Sequence, residues 1–254
     1  QVYVLTGDLA NTRAMLDKSV SLDQEFAQTY QYVGDLFNSQ HDDARAMDAY
    51  IKAILQDANS LTGPDGLPLV GALLLFVKPE YAPRAIDAYR AAALKNPDSI
   101  APNLAISEIY KRTGQLDLAR QELERVVQRN PQDLNVNLAF VNFLSTNGFI
   151  DPAVAAMRHV LELVPPNNPD NARMQDFNSQ LLTLQKTIDA VRKAPNDVAA
   201  HKALAAMWRS RGQPQFALPE YQAIVRLAPN DYDALKGAAL MNLTLVNLDE
   251  AQRG

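Results

Sequence analysis

The 254-residue chain contains no cysteine, one tryptophan and three histidines. Without cysteine it forms neither disulfides nor thiolate metal sites, and cysteine usage leaves its redox compartment undetermined. Acidic residues outnumber lysine and arginine, giving a net charge of −5, and no cluster of basic side chains breaks that balance. We therefore expect neither nucleic acid nor an anionic membrane surface as a partner.

Long hydrophobic runs are also scarce, and the most apolar one is LPLVGALLLFV at residues 67–77, which carries no charge. A spanning helix needs about 20 apolar residues, so this run is too short to cross a bilayer. It lies in the middle of the chain, whereas a secretion signal lies at the N-terminus behind positive charges. We predict a buried helix that is covered on more than one face, and no direct membrane insertion.

What the chain does have is an internal repeat of 34 residues. Gly114, Ala119, Val126 and Pro131 recur 34 residues later as Gly148, Ala153, Val160 and Pro165. Further copies place Ala46, Ala85 and Ala217 at the position of Ala119. Such a period is typical of stacked supersecondary units that bury their apolar faces against their neighbours.

Counting six repeats from residues 27, 66, 100, 134, 198 and 232 aligns their characteristic residues. Position 20 is alanine throughout, and position 11 is aromatic in four repeats, as Phe37, Phe76, Tyr110 and Trp208. Position 24 holds a large side chain: Tyr50, Tyr89, Leu123, Met157 and Tyr221. Position 8, small in most repeats, is Leu73 and Val141 in two of them.

These residues and their spacing resemble the tetratricopeptide repeat, a 34-residue helix–turn–helix unit. The resemblance covers nearly the whole chain and implies an all-α fold, a right-handed α-solenoid (superhelix) of paired helices A and B. The residue types make physical sense in it: a small position 20 lets the two helices pack closely. Glycine at position 15 permits a left-handed turn between them, and proline at position 32 ends helix B.

The repeat pattern is interrupted at residues 168–197, which separate an array at 1–167, beginning with a partial repeat at 1–26, from repeats at 198–254. No glycine or proline interrupts residues 170–194, where apolar residues follow steps of three and four. This indicates one long helix. A shortened helix pair that breaks near Asn178 is the alternative.

Both ends of the chain fall inside a repeat, with Tyr3 at position 11 of the first and residue 254 at position 23 of the last. We therefore expect a fragment of a longer protein whose last repeat is incomplete. Asp42 and Asp43, and likewise Asp249 and Glu250, are expected to begin B helices, where carboxylates favour the helix dipole.

Catalytic chemistry is not expected, and we predict that the chain is not an enzyme. The sequence has no phosphate-binding loop, nucleophile elbow or zinc-helix motif. His41, His159 and His201 fall in three different repeats, and none has a ligand neighbour that would form a metal site consistent with the repeat. We predict no catalytic, cofactor-binding or metal-binding residue, and no cofactor.

The surface with a binding role is expected to be the concave one, lined by helix A. Family members that clamp a peptide carboxylate use a Lys and Asn four apart, and that pattern is absent here. The predicted groove, which suits an extended or helical segment, consists of Gln31, Asp35, Asn38, Val70, Leu74, Leu104, Glu108, Lys111, Asn135, Leu138 and Asn142.

The predicted function is a non-catalytic scaffold that binds a protein or peptide segment of unknown identity in this groove. The alternative is a substrate-presenting or regulatory domain of a larger bacterial membrane-associated or secreted enzyme, such as a polysaccharide or glycosyl transfer machine. The sequence leaves the compartment open between cytoplasmic and extracytoplasmic.

Overall fold

A computed structural model describes residues 27–61, 70–165 and 167–253, and single positions at 14 and 18. Over these residues the chain forms twelve α-helices and one short 3-10 helix, with no β-strand in the part described. The predicted all-α fold is therefore confirmed. The partial repeat at 1–26, apart from those two positions, and the start of the apolar run at 67–69 lie outside the described residues.

The chain divides into two compact units, Gln1–Pro131 and Gln132–Gly254. The helices of the first unit are α1 Ala27–Ser39, α2 Asp43–Gln56, α3 Val70–Phe76, α4 Ala82–Lys95, α5 Ala101–Arg112 and α6 Leu116–Arg129, with the 3-10 helix at Ala58–Leu61. Those of the second are α7 Leu134–Thr146, α8 Ile150–Leu163, α9 Asn171–Lys193, α10 Val198–Ser210, α11 Pro214–Leu227 and α12 Tyr232–Arg253.

In each unit, helices that follow one another in sequence also pack together. In the first unit α1 packs on α2, α2 on α4, α4 on α5 and α5 on α6, while α3 contacts α1, α2 and α4. In the second unit every helix from α7 to α12 packs on the next. This is the arrangement of an α-solenoid, in which each repeat buries its apolar face against its neighbours.

The alanines at position 20 confirm the repeat numbering. Ala46, Ala85, Ala119, Ala153 and Ala217 each have 0% of their surface exposed. Position 24 is buried in all five of these repeats, by residues as different in size as Tyr50 and Leu123. The close packing of helices A and B therefore occurs where the sequence placed it.

The turns between A and B helices contain the expected left-handed residues. Gly114, Gly148 and Gly212, all at position 15, have φ of 77°, 82° and 66°. His41 occupies the same position in the first described repeat and adopts φ 57° without being glycine. Because a side chain in this conformation costs roughly 1–2 kcal/mol, the turn geometry there is imposed by the packing of α1 on α2.

The helix α9 covers the segment for which the sequence left two alternatives. It is a single helix of 23 residues, or roughly 34 Å at about 1.5 Å per residue. It buries Met174, Leu181 and Leu184 and packs on both α8 and α10. Asp151 of α8 accepts hydrogen bonds from Gln185 and Arg192 of α9, at 2.8 and 3.2 Å. Helices α8, α9 and α10 all belong to the second compact unit, which begins at residue 132.

The last repeat differs from its prediction. A single helix, α12, runs from Tyr232 to Arg253, so Asp249 and Glu250 lie inside a helix and do not begin a B helix. Residues 238–253 contain no glycine or proline that would favour a turn. By contrast, Asp42 caps α2 as expected, and its side chain accepts a hydrogen bond from the backbone N–H of Arg45 at 3.1 Å.

The second unit also contains contacts between repeats that are not adjacent in sequence. The side chain of Gln213, just before α11, donates to the carbonyls of Ser145 and Thr146 at 3.3 and 3.0 Å. A Cβ built on Gly148 would lie 2.7 Å from the ring of Phe216. The turn after α7 and the start of α11 therefore pack directly on each other, and only a glycine fits between them.

The only described histidine with a buried side chain has a structural role. The ring of His201 lies between Glu220 Oε2, 2.6 Å from Nδ1, and the carbonyl of Pro195, 2.9 Å from Nε2. Burial alone lowers the pKa of His201, but the Pro195 carbonyl and the Glu220 carboxylate outweigh it and raise the pKa. Only the protonated ring donates to both acceptors at once.

We expect this histidine to make stability depend on pH. Because the native state holds the proton more tightly than the unfolded chain, its contribution is full below an ordinary pKa near 6.5 and is lost as the pH rises through the higher native pKa. Urea unfolding of wild type and His201→Gln at a series of pH values checks this. The two curves should converge with rising pH, and a constant difference would contradict the prediction.

Among the described residues, no helix is both long and apolar enough to span a membrane.

Candidate partner-binding face

The first predicted groove residues lie on α1. Asp35 is exposed, while Gln31 and Asn38 are half-buried. The hydroxyl of Tyr50 donates to Asp35 Oδ1 at 2.7 Å. Partial burial raises the pKa of Asp35, and the hydrogen bond from Tyr50 opposes that effect in part. This carboxylate is held in place by a fully buried side chain while remaining open to solvent.

Leu74 is the apolar member of the face. Its helix, α3, buries Ala72, Leu73, Leu75 and Phe76 almost completely, but Leu74 is 59% exposed. This helix packs on α1, the helix that carries the polar residues just described. Val70 begins α3, and its side chain lies outside the described residues. The described part of the apolar run is thus a largely buried helix, as predicted, with one leucine at the surface.

The third group, on α5, is arranged differently from the prediction. Glu108 is buried, and its carboxylate is paired within the same helix with Lys111 and with Arg112 Nε, the latter at 2.9 Å. Leu104 is half-buried. The groups that α5 offers to a partner are therefore the two partly exposed cations and not the acid.

The remaining predicted residues belong to α7, in the second unit. Asn135 and Asn142 are exposed and Leu138 is half-buried. They stand at positions 2, 9 and 5 of their repeat and share one face of the helix. These three residues of α7 all belong to the second unit.

A cleft of about 590 Å³ in the first unit was not predicted from the sequence. Its apolar wall includes Val77, Ile86 and Tyr110, and its polar rim includes Arg90 and Gln115. The Arg90 guanidinium donates to the Tyr110 hydroxyl at 3.0 Å, which fixes both side chains. Helix B residues such as Ile86 and Arg90 were not predicted as binding residues, because helix A alone was expected to line the groove.

Leu74 and the cleft are adjacent on one helix face. Val77 follows Leu74 by three residues, and its N–H still makes a helical hydrogen bond to the carbonyl of Leu73 at 3.1 Å. Residues three apart lie on the same side of a helix. The exposed leucine therefore lies on the side of the helix that carries Val77, a lining residue of the cleft.

The candidate residues of the first unit include an exposed leucine, a hydrogen-bonded carboxylate and two partly exposed cations, on helices that pack on one another. In the part of the chain that the structure describes, no group of three or more His, Asp or Glu side chains could hold a metal ion.

Paired helices stacked in sequence order define a helical-repeat protein. The family model described as tetratricopeptide repeat matches residues 82–140, which run from α4 to α7. The resemblance drawn from the sequence is therefore confirmed over these residues. No curated protein is significantly similar to the chain in sequence.

Several solved structures are similar to this one. YrrB, described as a TPR protein with an unusual peptide-binding site, is 18% identical, with 87% of this chain and 96% of that chain covered and a TM-score of 0.35. Pseudomonas aeruginosa pilF is 12% identical, with 93% and 92% covered and a TM-score of 0.40. The C-terminal part of a TPR repeat-containing protein from Cytophaga hutchinsonii is 16% identical, with 93% and 96% covered and a TM-score of 0.41.

Proposed function

We propose that this chain is a non-catalytic scaffold whose first unit binds a segment of a partner protein. The segment would lie on the face formed by Asp35, Leu74 and the cleft beside Val77. The observation that carries the proposal is the exposure of Leu74 on a helix whose other described apolar side chains are mostly buried. A large apolar side chain beside an apolar cleft is the arrangement in which a partner's anchor residue contributes most binding energy.

The chemistry of the face suggests the kind of segment. An apolar side chain would fill the cleft between Val77 and Ile86, where Arg90 and Gln115 satisfy polar backbone groups at the rim. Asp35 is already oriented by Tyr50, so it accepts a hydrogen bond from the segment without losing further side-chain entropy. Helices α1, α3 and α4 hold these groups on a rigid surface.

The test compares two exposed leucines of the first unit. Leu74→Asp should leave the free energy of unfolding within about 0.5 kcal/mol of wild type, because surface substitutions rarely exceed that. The same change should abolish binding, since it places a charge where an apolar anchor docks. Leu94→Asp is the matched control: Leu94 is 84% exposed on α4, outside the cleft lining, and should bind normally.

Binding is measured by photocrosslinking in cells of the source organism, with the photoreactive residue placed at position 115 on the rim of the cleft, followed by identification of the linked protein. One partner crosslinked from residue 115, lost with Leu74→Asp and kept with Leu94→Asp, supports the proposal. Equal crosslinking in both variants contradicts it. If Leu74→Asp unfolds the chain, Leu74 is packing and the proposal is wrong.

Leu138→Asp tests the predicted groove residues of α7 by themselves. We expect it to leave stability nearly unchanged, because Leu138 is only half-buried, and to weaken partner binding by the second unit. Normal capture by this variant would exclude Leu138 from the binding residues.

A further inference from the structure

Arg211, which follows the last residue of α10, has no partner in the described part of the chain. Its Nε is buried and makes no hydrogen bond, and no acidic side chain among the described residues pairs with its guanidinium. Two other cations of this unit do have acidic partners, since Arg192 pairs with Asp151 and Lys202 with Asp231. A partly buried charge without a partner costs free energy. Burial lowers the pKa of Arg211, and no neighbouring charge opposes that effect.

This side chain lines a cleft of about 300 Å³ between α9 and α10. The other lining residues are Ser179, Gln180 and Thr183 of α9 and Met207 and Ser210 of α10. The cleft lies entirely within the second unit and is separate from the face on which the proposed function rests.

The three hydroxyl groups around Arg211 already donate their protons within the protein, and Gln180 donates one of its two amide protons. The hydroxyls of Ser179, Thr183 and Ser210 donate to carbonyls of their own helices at 2.9, 2.8 and 2.9 Å. The amide nitrogen of Gln180 donates to Asp176 at 2.8 Å. Arg211 is therefore the charged donor that lines this cleft, and the group that it lacks is an anionic acceptor.

We propose that this cleft binds a carboxylate carried on a short aliphatic stem. A guanidinium binds a carboxylate through two parallel hydrogen bonds, and the planar fork of arginine suits that geometry. The stem would pack against Met207 and the methyl group of Thr183. Asp176, held next to the cleft by Gln180, adds a negative charge that disfavours a dianion such as phosphate more than a monoanion.

The test uses propionate as the probe and the proton-bound Nε of Arg211 as the reporter in nuclear magnetic resonance of the whole chain. Chloride keeps the ionic strength constant, and the methyl group of Met207 provides a second reporter that every variant retains. We expect saturable shifts of both signals in wild type and in Arg209→Gln. Arg209 is exposed in the last turn of the same helix and serves as the matched control.

Arg211→Gln should weaken propionate binding about tenfold or more, the loss expected for a charged hydrogen bond. Arg211→Lys keeps the charge but loses the planar, two-pronged guanidinium. Its affinity for propionate should lie between those of wild type and Arg211→Gln. If Arg211→Gln does not fold, the wild-type titration alone decides, since absence of a saturable Arg211 shift overturns the proposal. Equal shifts with inorganic phosphate, or undiminished Met207 shifts in Arg211→Gln, also overturn it.

Two further probes identify the source of the carboxylate. N-acetyl-glutamate amide presents it on a side chain, and N-acetyl-alanine presents it at a chain terminus. Tighter binding of the first assigns the cleft to an internal acidic residue of a protein, and tighter binding of the second to a C-terminus. Failure of both with success of propionate would overturn a peptide ligand and leave a small carboxylic acid. None of these outcomes depends on Leu74, so the two proposals fail separately.

Discussion

Replacing Tyr50 with alanine is expected to destabilise the first unit by about 3–5 kcal/mol, the usual cost of truncating a buried aromatic residue. Its side chain is 0% exposed and its ring meets Phe76 edge-on, with 5.8 Å between the centroids. Phe76 in turn meets Tyr89 edge-on at 6.1 Å. The ring of Tyr50 also fills the space beside Gly34, where an added Cβ would lie only 2.4 Å away. Chemical denaturation followed by circular dichroism measures the loss.

Two substitutions of tyrosine by phenylalanine distinguish the contribution of the ring to stability from that of the hydroxyl. Tyr50→Phe removes the hydrogen bond to Asp35 and should cost about 1 kcal/mol. Tyr89→Phe removes a buried hydroxyl that has no hydrogen-bond partner in the described chain, so it should be neutral or stabilising. Equal losses for Tyr50→Phe and Tyr50→Ala would show that the aromatic packing contributes little.

Much of the fold could be predicted because a repeat pattern reports local requirements. An alanine at position 20 is needed wherever helix B packs closely on helix A, and a glycine at position 15 wherever the turn has positive φ. These needs recur every 34 residues, so Ala153 and Gly148 could be assigned from their partners at 119 and 114. The single helix α9 follows from the absence of glycine and proline across it.

Contacts between distant repeats could not be predicted in the same way. The packing of Phe216 on Gly148 depends on the small rotation added at each helix pair, which no single repeat specifies. A change of a few degrees per pair would separate these residues. The continuous helix α12 was missed for a related reason, since the repeat numbering assigned a turn where the residues themselves favour a helix.

The candidate site was predictable in position more than in detail. Helix A numbering selected Leu74, and the structure exposes it. The same numbering selected Glu108 without accounting for Lys111 and Arg112, which cover its carboxylate from one turn further along α5. Arg211 gave no signal, because an unpaired charge is recognised only when the positions of all its possible partners are known.

Ala119→Phe and Ala153→Phe test the numbering on which this fold was predicted. Each alanine is 0% exposed at position 20, and Ala119 lies in the first unit while Ala153 lies in the second. A phenyl group has no space between helices A and B, so each variant should lose at least about 1–3 kcal/mol. Thermal and urea unfolding give the loss.

Ala155→Phe is the matched control for the second unit. Ala155 lies two residues after Ala153 on α8 but is exposed, so phenylalanine there should change stability by no more than about 0.5 kcal/mol. Similar losses at 153 and 155 would mean that helix propensity, not packing, explains the effect.

Hydrogen exchange of the same variants shows which helices lose protection. Stability in a repeat array is the sum of local terms and contacts between neighbours. Ala119→Phe should therefore lower protection most in α5 and α6, and Ala153→Phe most in α7 and α8, whose helix pairs they force apart. Because the chain divides into compact units at residue 131, each variant should leave the more distant helices of the other unit nearly as protected as in wild type. A uniform loss of protection along the whole chain in both variants would show that the two units unfold as one.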